Sequence, residues 1–251
     1  LLLVRGLYTA ASGALVAQSQ ADNIANNLAN VNTSGFKRTL LQVQSAPEMR
    51  IYMRPGNTYV GALGTGAQVL DTPAVFEQGA LESTGNTLDL AIQGNGFFTL
   101  QTAQGIRYTR DGQFARDPQG YLVTMDGDRV LAQSGRPVQL QAGAVQISGN
   151  GDIRQNGQVV DTLRIVAFGN LQAVRPEGDN RFIDTGAGRP ALDAASTVHQ
   201  GFLERSNANV VRSMVDLISA QRWFEANQKV IQTQDTANGY AIANVGRSTG
   251  Q

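Results

Sequence analysis

The sequence predicts an α+β fold: long N- and C-terminal helices forming a coiled-coil-like bundle, an extended β-hairpin arm, and a mostly antiparallel β domain in the middle. Three observations carry this reading. Small and apolar residues recur at steps of three and four near both ends, the period of one helix face. Between residues 39 and 85 that period vanishes, and short strand-like runs alternate with Gly- and Pro-containing turns. From residue 86, strand runs are separated by Asp-Gly and Asn-Gly pairs, which favour tight hairpin turns. The chain therefore divides into an N-terminal helical segment (1–38), an extended arm (39–85), a β domain (86–205) and a C-terminal helical segment (206–251).

The first helix is read over Leu7 to Val31. Leu7, Ala10, Ala14, Ala17, Ala21, Ile24, Leu28 and Val31 form a heptad seam, a stripe that one helix cannot bury alone. Alanine in its first half lets helix axes approach closely, so the contact depends on fit more than on apolar area. The second helix, Val210 to Val245, offers a matching row: Val210, Met214, Leu217, Gln221, Phe224, Gln228, Ile231, Asp235, Asn238, Ile242 and Val245. Its amides and its acid reduce stability but fix register and partner number. Val211, Val215 and Ile218 form a second apolar row beside it, which calls for more than one neighbour. Periodicity alone allows the two ends to pair with each other or with other chains. At about 1.5 Å per residue the helices span roughly 36 and 52 Å, and that length favours contacts between chains.

Composition narrows the function classes. Lys+Arg and Asp+Glu are both 20, so no global charge recruits nucleic acid or an anionic membrane. Lysine occurs only at Lys37 and Lys229, and the remaining positive charge is arginine, which suits fixed bidentate pairs. Cysteine is absent, which excludes disulfides, thiolate metal sites and a cysteine nucleophile. The opening Leu-Leu-Leu-Val, followed by Arg5 and Gly6, is too short for a signal-peptide core or a bilayer span. The expectation is that a cleaved signal does not carry this chain out of the cytoplasm, and that it does not insert into a membrane.

After the first helix, Asn32-Thr33-Ser34-Gly35 stops the period, with Gly35 placed to take a left-handed conformation. Asn23, Asn26, Asn27, Asn30 and Asn32 are unusual in a helix, since Asn favours caps and turns. They form either a solvated face or amides that bond across to neighbours. The run Asn23-Ile24-Ala25-Asn26-Asn27-Leu28-Ala29-Asn30-Val31-Asn32-Thr33-Ser34-Gly35-Phe36-Lys37-Arg38 closely resembles the N-terminal signature of the bacterial flagellar rod and hook axial proteins. Arg5-Gly6-Leu7-Tyr8-Thr9-Ala10-Ala11-Ser12-Gly13 is similar to the start of that family's rod members.

In the arm, Arg50-Ile51-Tyr52-Met53-Arg54 and Ala67-Gln68-Val69-Leu70 have strand character, and Pro55-Gly56-Asn57 and Gly61 to Gly66 punctuate them. So long a stretch without regular structure would be unusual in a compact domain, which favours a long hairpin. In the middle, strand runs are Leu88–Ile92, Phe97–Leu100, Arg107–Thr109, Tyr121–Val123, Arg129–Leu131, Val145–Ile147 and Leu163–Phe168. Asp111-Gly112, Asp126-Gly127, Asn150-Gly151 and Asn156-Gly157 are read as the hairpin turns between them. Gly94-Asn95-Gly96-Phe97-Phe98 and Tyr108-Thr109-Arg110-Asp111-Gly112-Gln113-Phe114 again resemble motifs of the axial family. Residues 169–205 carry Gly, Pro and Asp breaks, and Ser206-Asn207-Ala208-Asn209 can cap the second helix. Gln221-Arg222-Trp223-Phe224-Glu225-Ala226-Asn227-Gln228-Lys229-Val230-Ile231 resembles the family's C-terminal signature, with Phe224 where Tyr is often seen.

No constellation for catalysis emerges. His199 is the single histidine, and without cysteine it cannot build an imidazole-rich metal site. No Gly-x-Ser-x-Gly elbow surrounds any serine. Asp126-Gly127-Asp128 lacks the ligand series and closing Glu of a calcium loop, and Gly94-Asn95-Gly96 lacks the Lys-Ser/Thr of a phosphate loop. Asp117-Pro118-Gln119-Gly120 is a turn. The expectation is therefore a non-enzyme with no catalytic, cofactor or metal residues.

The resemblance implies a structural subunit of the flagellar basal-body rod, the drive shaft through the periplasm. It implies terminal helices packed with those of neighbouring copies and of other rod and hook axial proteins, an arm bracing adjacent subunits, and export through the flagellar secretion apparatus. The opening motif is most similar to the proximal rod members, with the distal rod close behind. The expected subunit interface is Leu7, Ala10, Ala14, Ala17, Ala21, Ile24, Asn27, Leu28 and Val31, with Val210, Met214, Leu217, Gln221, Phe224, Gln228 and Ile231. A competing expectation is a monomeric β-domain binding module whose terminal helices pair with each other. An enzyme acting on peptidoglycan would need paired carboxylates facing one cleft, and the acids are scattered among turns.

Overall fold

The computed structural model describes residues 2–53, 55–56 and 58–248; Arg54 and Asn57, read above as a strand end and part of a turn, lie outside them, as do the side chains of Ile242 and Val245. The chain forms two compact units, a helical one and a β-rich one.

The helical unit contains α1 (Leu2–Ala29), α2 (Val210–Ser248) and residues 40–72. The two helices pack antiparallel against each other. Gly6 faces Gln234, whose Cδ lies 3.0 Å from where a Cβ on Gly6 would stand, and Gly13 faces Asn227, whose Oδ1 lies 2.9 Å from the corresponding point. Seven residues forward on α1 thus match seven residues backward on α2. The inward side of α2 runs through Ser213, Leu217, Ala220, Phe224, Asn227, Ile231, Gln234 and Asn238, again in steps of four and three. It shares Leu217, Phe224, Ile231 and Asn238 with the apolar row read from sequence and replaces the others with small or amide residues, which apolar periodicity does not register.

Residues 40–72 carry four strands. β1 (Gln42–Ser45) pairs with β4 (Ala67–Asp71), and β2 (Met49–Met53) pairs with β3 (Thr58–Leu63), all antiparallel. The β2–β3 register shifts between Ile51 and Tyr52, setting Tyr52 opposite Tyr59 with ring centroids 5.8 Å apart, edge to face. The start of β4 is tied to α1, where the Ser12 hydroxyl accepts the Ala67 N–H at 3.3 Å.

The β unit is organised around the strand Phe97–Thr102. Its main sheet runs in the order 174–178, 181–184, 105–109, 97–102, 129–130, 122–124, 114–116, and the strand 165–168 also joins 97–102. Because side chains alternate across a strand, Phe97 and Phe98 point to opposite faces. Phe98 enters a large core with Leu90, Ile92, Leu122, Val138 and Ile153, and packs edge to face on Phe114. Phe97 enters a second core with Tyr108, Val166, Val174 and Phe182, where Phe76 and Phe168 also meet its ring.

One sequence reading is corrected here. Asp111-Gly112 is not a hairpin turn, since the strands on either side, 105–109 and 114–116, do not pair with each other. Gly112 instead passes so close to the Leu90 carbonyl that a side chain would collide with it. Residues 169–205 hold five strands, 174–178, 181–184, 190–192, 197–200 and 202–204, too short and too interrupted by Gly and Pro to show alternation. Asp126-Gly127, Asn150-Gly151 and Asn156-Gly157 do join paired strands, and both Asn156 and Gly157 take positive φ.

Candidate assembly surface

The structure sorts the predicted interface residues by face. Ala10, Ala14, Ala17 and Asn27 are buried inside the helical unit, Ala17 completely. Leu7, Ala21, Ile24, Leu28 and Val31 are half-buried, as are Leu217, Phe224 and Ile231. Val210, Met214, Gln221 and Gln228 stand in solvent. In α2, Ala220 is the one fully buried side chain among the described residues. Pairing with α1 therefore covers only a narrow stripe of a 39-residue helix.

What remains open is apolar. Val211 is 72% exposed, and Val215 and Ile218 beside it form the second row read from the sequence. Trp223, the chain's one tryptophan, is 65% exposed. On α1, Tyr8 and Leu15, seven residues apart and so on one face, are also open. In the strands of the same unit, Met49, Ile51, Met53, Tyr59 and Val60 are exposed. A two-stranded ribbon has too little core to stand alone, and apolar patches of this kind mark contact surfaces.

The β unit holds a buried charge cluster that sequence reasoning missed. Lys37 Nζ lies 2.5 Å from Glu204 Oε1, and Arg110 Nη1 lies 3.4 Å from Glu204 Oε2; all three side chains are buried. The remaining capacity is largely used. Glu204 Oε1 also accepts the Gly79 N–H, Lys37 Nζ donates to the Glu77 carbonyl at 2.7 Å, and Arg110 Nη2 donates to the Gly94 carbonyl at 2.8 Å. The Arg110 guanidinium also lies 4.7 Å from the centre of the Phe97 ring. Burial pulls the Lys37 and Arg110 values down, and the adjacent Glu204 carboxylate opposes this by favouring their charged forms. Lys37 being one of only two lysines in an arginine-rich chain was the available signal; Glu204 itself gave none.

Next to this cluster, Gly35 takes φ +68 and presses on the backbone of Arg110 and Asp111, leaving no room for a Cβ. Asn180 Nδ2 donates to the Ser34 carbonyl at 3.0 Å. Burial raises the Asp111 carboxyl to about 6, against hydrogen bonds from Gln113 and Asn180 that lower it. The turn Asn32 to Gly35 is thus seated on the β unit by shape. His199 serves the sheet: its Nε2 lies 2.8 Å from Gln93 Oε1 across paired strands. Asp128 of the acidic turn is used by Arg181, 2.8 Å away.

Comparison with known proteins agrees along most of the chain. Residues 7–37 match the family described as flagella basal body rod protein, 91–161 the flagellar hook protein FlgE/F/G D1 domain, and 199–244 the flagellar basal body rod FlgEFG protein C-terminal region. Lys37, Arg110 and Glu204 fall one in each of these three stretches. The chain is 34% identical to the flagellar basal-body rod protein FlgG of Borreliella burgdorferi, over 95% of this chain and 98% of that protein. It is 37% identical to FlgG of Agrobacterium fabrum, over 92% and 96%. It is 33% identical to the flagellar basal-body rod protein FlgF of Caulobacter vibrioides, over 96% and 98%.

Proposed function

The chain belongs to the flagellar basal-body rod protein family, and from this premise we propose that it is a structural subunit of the rod that polymerises through its helical unit. The observation that carries the proposal is the open apolar row Val211, Val215 and Ile218 on a helix whose own partner covers only one stripe. Copies of the chain, and other rod and hook axial proteins, supply the missing cover. Head-to-tail contacts that do not close into a ring give a helical shaft, and many small contacts fixed in register bear its torque. In this reading the subunit sits in the basal body within the periplasm, is delivered by the flagellar export apparatus, and uses β1 to β4 to brace adjacent subunits. The predicted interface residues on the open side, Val210, Met214, Gln221 and Gln228, face those neighbours.

The competing monomeric module shares the self-paired helices but offers no use for the open row. The test is Val215→Asp with Ile218→Asp in the full chain. The variant should keep wild-type far-UV circular dichroism and be missing from purified basal bodies, with motility lost. Incorporation at the wild-type level would remove this face from the shaft. Trp223 gives a second readout, since its emission should shift to shorter wavelength when the wild-type chain assembles and stay unshifted if it is monomeric at all concentrations.

A further inference from the structure

The contact between α1 and α2 contains a row made almost entirely of amides and very small residues. Gly6 faces Gln234 and Gly13 faces Asn227. Continuing at the same heptad step sets Gln20 level with Ala220 and Asn27 level with Ser213. Every level pairs one long amide with one small residue, and the bulk changes sides halfway. Glycine on α1 meets amides of α2 in the first two levels, and the heptad step places amides of α1 opposite alanine and serine of α2 in the next two. Burial agrees with this placement, since Asn27 and Ala220 are both buried.

The glycines leave the room that the facing carboxamides occupy. A Cβ at either one would enter the facing carboxamide, Asn227 Oδ1 standing 2.9 Å from the position at Gly13. Asn227 is held there because its Nδ2 donates to the Trp223 carbonyl of its own helix at 2.8 Å, which leaves Oδ1 toward α1. Gln234 Oε1 is buried without a hydrogen-bond partner among the described residues. A glycine inside a helix also lowers helix stability relative to alanine, so each is retained against its own propensity.

We infer that this size-alternating row is the element that selects the alignment of α1 with its own α2, and that the alanine seam contributes closeness without choosing register. Sliding α2 by one heptad in one direction puts Gln20 against Asn227, two long amides in one space. Sliding it the other way puts Gly13 against Ala220 and opens a void. Only the alignment set by the two glycine contacts pairs large with small at all four positions of the row. The apolar residues discriminate less, because Ala17 comes nearly level with Phe224, Ile231 or Leu217 in the three alignments. A polar contact that sets register at some cost in stability follows the rule known from coiled coils. The inference concerns one chain and stands apart from whether that chain polymerises.

The chain contains no cysteine, so a single introduced pair reports alignment cleanly. Ala10→Cys with Ile231→Cys, nearly level in the observed register, is oxidised in dilute full-length protein and the intrachain disulfide is quantified. Into this background go Gly13→Asn, Asn227→Gly and the two together, which exchanges the bulk while conserving the number of glycines. Gly13→Asn should cut the yield about tenfold, since overpacking a close helix contact acts on that scale. The exchange should return it to near the reference. Unchanged yield in Gly13→Asn, an exchange no better than Gly13→Asn alone, or failure of the reference pair to form would each overturn the assignment. Far-UV circular dichroism on every variant separates lost alignment from lost helix.

Discussion

Lys37 Nζ and Glu204 Oε1 meet at 2.5 Å across 167 residues of sequence, with neither side chain exposed. Two cations and one carboxylate share this buried space, and Glu204 is in direct contact with both cations. Glu204→Ala should destabilise the β unit by about 3–5 kcal/mol, because it strands two buried charges. Lys37→Met should cost less, since Glu204 keeps Arg110 and the Gly79 N–H. Urea unfolding followed by hydrogen exchange at the backbone amides of the strand Phe97–Thr102 measures both, and equal losses would contradict the central place given to Glu204.

Gly35 makes a second, sharper demand. Its φ of +68 disfavours any L side chain, and a Cβ would strike the Arg110–Asp111 backbone. Gly35→Ala should therefore cost about 2–4 kcal/mol, strain and overpacking together. A loss under 1 kcal/mol in the same unfolding experiment would mean that the turn is free to move off the β unit.

Asp111 titrates in an unusual window. Its folded value of about 6 lies above the ordinary 3.8, so the folded state holds the proton more tightly. The stabilisation linked to that proton is complete below about pH 4 and is lost as pH rises through 6. At pH 7.5 the ionised group costs up to about 3 kcal/mol. Asp111→Asn keeps the acceptor for Gln113 and should raise stability at pH 7.5 while leaving it little changed at pH 4. Urea midpoints at the two pH values decide this; an equal shift at both would show that ionisation is not the cause.

Ala17 sits completely buried in the helical unit, nearly level with Phe224. Ala17→Leu should lower the stability of the helix pair by about 1–3 kcal/mol, since the added volume has nowhere to go. The thermal transition of the 222 nm signal should fall while the amide protection of the β-unit strand Phe97–Thr102 holds. A wild-type melting curve would place Ala17 away from the close contact.

Much of this molecule was legible in its sequence because heptads and strand alternation announce themselves. Ala10, Ala14 and Ala17 of the row read from sequence are buried, and Asn150-Gly151 joins paired strands. What stayed hidden was carried by residues that no apolar scan counts. The inward side of α2 depends on Ser213, Ala220, Asn227 and Gln234, so the sequence row overlapped it only at Leu217, Phe224, Ile231 and Asn238. Glu204 gave no local signal because its partners lie 167 and 94 residues away. Asp111-Gly112 has the letters of a hairpin turn, but Gly112 answers to the Leu90 carbonyl above it. Val211, Val215 and Ile218 were visible as a second row, and their open placement agrees with a helix that has more than one neighbour.

Phe97 and Phe98 root two separate cores in adjacent residues of a single strand. Displacing that strand by one position would exchange the two rings and empty both cores together, so neither face can yield while the other holds. One peptide bond therefore joins the packing on one side of the sheet to the packing on the other.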